Sequence, residues 1–130
     1  MNLEEFKNIF ENSNIATDKI VVMSDIAKIL EFLKSKYGFN VLKEIIAIDN
    51  KDKGIELIYR MYSVENDENV AISISVIDEI ETVTKIFDSA VADEKEIYDL
   101  FGVKFIGNNE LERLYMPGDW KGHPLRKDYE

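Results

Sequence analysis

A chain of 130 residues with 45% hydrophobic composition supports one domain, whose single core needs about 20 to 30 inward side chains. The absence of cysteine and the presence of one histidine, His123, exclude disulfides, iron–sulfur ligation, thiolate and paired-histidine metal sites, and a Ser-His-Asp triad elsewhere in the chain. The net charge of −10 repels phosphate backbones and anionic lipid, and no apolar run approaches the roughly 20 residues of a membrane helix, so the expectation is a soluble, cytoplasmic chain without nucleic acid or membrane insertion.

Asn2 caps a first predicted helix with Glu5 three residues on; Leu3, Phe6, Ile9 and Phe10 share one face, and the helix ends near Asn14. The run Ile20-Val21-Val22-Met23 reads as a strand. Ser24 then caps a stronger helix in which Ile26, Ile29, Leu30, Leu33 and Tyr37 keep helical spacing, and Gly38 stops it.

Three β-rich segments follow: Val41 to Ile48, Ile55 to Ser63, and Val70 to Ile77. They are joined by the polar turns 49–54 and 65–69, which have hairpin length. These acidic turns lack the ligand spacing of an EF-hand, so they read as solvated loops and not as calcium sites. The expected fold is α+β, a mostly antiparallel sheet with helices on one face.

Thr82 to Phe87 suits a strand by its β-branched residues and a short helix capped by Thr82 equally; the helix is preferred. Asp93-Glu94-Lys95-Glu96 reads as a capping box opening a helix, with Ile97, Leu100 and Phe101 as its apolar face and Gly102 as its end.

From Gly102 onward the composition shifts, because both prolines and four of the six glycines lie there and periodicity is lost. Yet Phe105, Leu114, Tyr115, Met116, Trp120, Leu125 and Tyr129 supply more bulky apolar surface than a solvated tail carries, and burying one such side chain is worth roughly 1.5–3 kcal/mol. The expected organisation is a compact domain over 1–105 and an extended C-terminal segment over 106–130.

Two blocks carry a family resemblance. They are Asp93-Glu94-Lys95-Glu96-Ile97-Tyr98-Asp99-Leu100-Phe101-Gly102-Val103-Lys104-Phe105 and the string from Leu114 through Trp120 to Gly122-His123-Pro124-Leu125-Arg126-Lys127-Asp128-Tyr129. Together they resemble the signature of the 30-kDa subunit family of respiratory complex I, which includes the C subunit of NADH:quinone oxidoreductase and its counterparts in membrane-bound energy-converting nickel–iron hydrogenases. Lys95 stands where the family usually has Arg, which keeps the charge but loses the bidentate fork. Asn108-Asn109-Glu110-Leu111 stands where the family usually has a His-Pro pair.

The resemblance implies a non-catalytic subunit with no cofactor of its own. It would pack against the large hydrogenase-like subunit and the iron–sulfur subunits, on the cytoplasmic face of an ion-pumping membrane complex. The short chain tilts the expectation toward the hydrogenase-type complexes. The residues expected to dock to partners are Glu94, Glu96, Asp99, Phe101, Trp120, His123, Pro124, Leu125, Arg126, Lys127, Asp128 and Tyr129.

Each has a plainer reading. Glu94, Glu96 and Asp99 as an acid/base cluster would make a small hydrolase, but carboxylates at a helix start already favour the macrodipole. His123 alone holds no metal well. Arg126 and Lys127 are offset by Asp119, Asp128 and Glu130, so ion pairing across an interface fits better than phosphate binding. Trp120 and Tyr129 are either core residues or interface anchors. A free-standing acidic α+β binding module is the alternative for the whole chain.

Overall fold

The β-rich segment read over residues 55–63 is realised as a strand in a computed structural model, which describes residues 3–10, 13–15 and 19–108. Strand β4 spans Ile55–Ser63, the segment expected, and buries Ile55, Leu57, Tyr59, Met61 and Ser63 on one face. The opposite row, Glu56, Ile58, Arg60 and Tyr62, is half-buried or exposed. This period of two gives the sheet an inner and an outer side.

Around β4 the chain builds helix α1 (Leu3–Ile9), strands β1 (Asn14–Ile15) and β2 (Ile20–Val22), helix α2 (Ile26–Tyr37), and strands β3 (Val41–Asp49) and β5 (Glu68–Val76). Strand β6 (Glu79–Glu81), helix α3 (Ala90–Phe101) and strand β7 (Lys104–Ile106) follow. The main sheet has the order β1-β2-β5-β4-β3, antiparallel except for the β2/β5 pair; β6 and β7 form a separate parallel pair. The fold is α+β with a mostly antiparallel sheet.

Ile26, Ile29, Leu30 and Leu33 of α2 are buried and join Leu57, Tyr59, Met61, Ile72 and Ile74 in one core. Gly38 ends the helix in the left-handed region at φ 73°, with its N–H donated to the Leu33 carbonyl. Gly54 sits at φ 85°, where a Cβ would run into the Val76 carbonyl oxygen, so the β3–β4 turn requires glycine there.

Several local expectations are corrected. α1 stops at Ile9, because Asn14 and Ile15 pair with Val21 and Ile20; Leu3 and Ile9 are exposed while Phe6 and Phe10 stack toward Phe32. Asp25, and not Ser24, occupies the N-cap of α2, at a left-handed φ of 61° and with no side-chain cap bond. The cap is remote: the Ala27 N–H donates to Glu81 Oε1 at 3.0 Å.

Thr82 to Phe87 is a turn and not a helix, following β6. α3 begins at Ala90, so Asp93 lies inside its first turn and forms no capping box. Asn2 and Trp120, His123, Pro124, Leu125, Arg126, Lys127, Asp128 and Tyr129 lie outside the described residues.

Candidate functional site

α3 carries the first half of the family signature, and its side chains divide by direction. Glu94 points inward: its residue is fully buried, and its carboxylate accepts the Thr82 hydroxyl at 2.5 Å, the Val83 N–H at 2.9 Å and the Asn108 amide at 3.0 Å. Burial raises its pKa, and these three donors oppose that shift. The carboxylate therefore stitches α3 to the turn after β6 and to the residues after β7.

The Tyr59 hydroxyl belongs to the same interior. It is buried with no hydrogen-bond partner among the described residues, and burial first, then the charges of Glu94 and Glu81, push its pKa far up.

Two side chains tie α3 to β3. The Ser89 hydroxyl donates to the Leu42 carbonyl at 3.2 Å, and the Ile45 N–H donates to Asp93 Oδ2 at 3.2 Å. β3 is the last strand of its sheet, so these contacts satisfy main-chain groups that no strand pairs. Burial raises the Asp93 pKa, the Ile45 N–H lowers it, and Glu44 adds a smaller upward push.

Beyond these contacts a groove of about 300 Å³ opens between the two elements. Ile45, Ile46 and Ala47 form one wall, and Ile97, Leu100 and Phe101 the other, with Asp93 and Glu96 among the lining residues. Asp93 is half-buried and Glu96 exposed.

Of the expected docking residues, the structure brings Glu96 and Phe101 together at this groove. Glu94 and Asp99 are fully buried within the chain. The three carboxylates thus share no open pocket, which removes the geometric basis for a hydrolase built on them. Among the described residues no cluster of three or more His, Cys, Asp or Glu could hold a metal, and no helix is long and apolar enough to cross a membrane.

Sequence reasoning misses Asp93, Thr82, Asn108 and Tyr59 as partners in this arrangement. A signal exists only for Asp93, whose acid near a helix start reads as a local cap.

The region from residue 20 to residue 130 matches the family model described as respiratory-chain NADH dehydrogenase, 30 Kd subunit. The C subunit of NADH-quinone oxidoreductase from Geotalea uraniireducens is 37% identical over 115 residues, covering 85% of this chain and 70% of that protein. Its namesake from Moorella thermoacetica is 32% identical over 136 residues, covering 98% and 92%. The C/D subunit of NADH-quinone oxidoreductase from Phocaeicola vulgatus is 32% identical over 106 residues, covering 77% of this chain and 20% of that much longer protein. The chain belongs to the 30-kDa subunit family of the respiratory-chain NADH dehydrogenase.

Proposed function

We propose that this chain is a structural subunit, without a cofactor or chemistry of its own, of the cytoplasmic arm of a complex I-like membrane-bound oxidoreductase. It docks to the large hydrogenase-like subunit, holds the iron–sulfur subunits in place, and so supports electron transfer coupled to ion translocation. The observation that carries the reading is the family match over residues 20–130, which takes in the aromatic-rich C-terminal stretch.

Supporting it, the signature carboxylates Glu94 and Asp99 are buried inside the chain and not gathered around a cavity. The name of the Phocaeicola vulgatus relative joins C to D, as expected of a subunit that works against a neighbour. The relatives' names favour a quinone reductase over the hydrogenase-type complex that the short chain suggested.

The segment over 106–130 serves as the docking arm, with Trp120, Leu125 and Tyr129 as apolar anchors and Arg126, Lys127 and Asp128 in ion pairs across the interface. His123 and Pro124 join them at the interface, His123 by packing or a hydrogen bond to the partner. Native mass spectrometry of the chain purified from its source tests the reading. A multi-subunit assembly containing iron is expected, with nickel only in the hydrogenase variant; a lone monomer would leave the free-standing acidic module.

A further inference from the structure

The groove between β3 and α3 has an unusual makeup. Its walls are aliphatic and aromatic, two of its lining side chains are carboxylates, and no lysine or arginine of the described residues lines it. Asp93 spends one oxygen on the Ile45 N–H, while Glu96 makes no hydrogen bond or ion pair among the described residues. An apolar slot that carries uncompensated negative charge fits a side chain with an apolar stem and a cationic head.

Resting on the docking function proposed above, we infer that this groove receives an arginine side chain from a basic, apolar segment of a neighbouring subunit. The guanidinium spans Asp93 and Glu96, and its stem lies against Ile97 and Leu100. Arginine suits the site better than lysine, because its planar fork serves two carboxylates at once.

Charge separates this occupant from its rivals. A second copy of this chain brings a net charge of −10 to an acidic groove. The chain's own residues 109–130 carry five acidic and four basic side chains, and so offer no net attraction.

The test replaces the wild-type chain in the source cell with tagged full-length Glu96→Arg, Glu96→Gln or Glu79→Arg. The partner subunits recovered with each are measured at about 50 and 300 mM salt. Glu79 is exposed on β6, away from the groove, and its reversal matches the charge change. Circular dichroism confirms that each variant folds, as expected for exposed positions.

Recovery should fall about tenfold or more for Glu96→Arg, less for Glu96→Gln and not at all for Glu79→Arg, with the loss relative to wild type greater at low salt, where the charges are least screened. Equal recovery for Glu96→Arg and wild type overturns the inference, as does an equal loss for both reversals. Should the wild-type chain bring down no redox subunit, the docking function itself fails and the inference falls with it.

A photo-crosslinker at Ala92, exposed one turn before Glu96, identifies the occupant. An adduct with an arginine-containing peptide of another subunit supports the inference. An adduct with residues 109–130, with a second copy, or with nothing overturns it.

Discussion

Glu94 accepts the backbone N–H of Val83 at 2.9 Å, joining a helix to a turn that otherwise lacks regular structure. The same carboxylate takes the Thr82 hydroxyl and the Asn108 amide, so one side chain fixes two stretches of backbone that the main sheet does not. This holds Asn108 against α3.

Glu94→Ala leaves buried donors without an acceptor and should cost about 3 kcal/mol in denaturant unfolding. The pH dependence follows from the sign of the shift. Folding raises the Glu94 pKa above its ordinary 4.5, so its contribution is full below that value and is lost as pH rises through the folded value. Glu56 opposes it: Lys19 at 2.6 Å lowers its pKa, so its contribution is present above 4.5 and is lost as pH falls. Glu94→Gln removes only the first effect. Its stability relative to wild type should therefore rise as the pH climbs above 4.5, and a flat difference would refute this account of Glu94.

Tyr59→Phe removes a buried hydroxyl that has no partner among the described residues. Deleting an unpaired polar group while keeping the ring should leave stability unchanged or raise it by about 1 kcal/mol. A loss of more than about 1 kcal/mol in the same unfolding assay would mean the hydroxyl is satisfied in solution.

Glu81→Ala removes the remote acceptor for the Ala27 N–H at the start of α2. The cost should be about 1 kcal/mol, the usual worth of an N-terminal cap, with the change read in thermal unfolding. Glu79→Ala, two residues earlier on the same strand, should change stability by less than about 0.5 kcal/mol.

Local pattern carries the parts of this fold whose stability is local. The spacing of Ile26, Ile29, Leu30 and Leu33 specifies α2, and alternation specifies β4, because in both cases the buried face recurs at the backbone's own period. The turn at Thr82 to Phe87 is not legible, since its Val83 N–H is satisfied by Glu94, eleven residues further on, and its Thr82 N–H by the Ile106 carbonyl. The cap of α2 escapes for the same reason, because Glu81 lies 54 positions after Ala27.

β6 and β7 are three residues each and pair in parallel, so each strand carries too little pattern to announce itself. At the candidate site, the sequence marks Glu96 and Phe101 through the family signature, and the groove they share appears only when β3 is packed beside them. The inward turn of Glu94 and Asp99 is equally invisible, because carboxylates on a helix carry no sign of which face the core will take.

The central claim is that this chain works by docking, and that its C-terminal stretch does the docking. Deleting residues 113–130 and purifying the tagged chain from its source tests it most directly. The account predicts a circular dichroism spectrum close to that of the full chain and no large subunit in the eluate. A folded, truncated chain that still brings the large subunit with it would contradict the account.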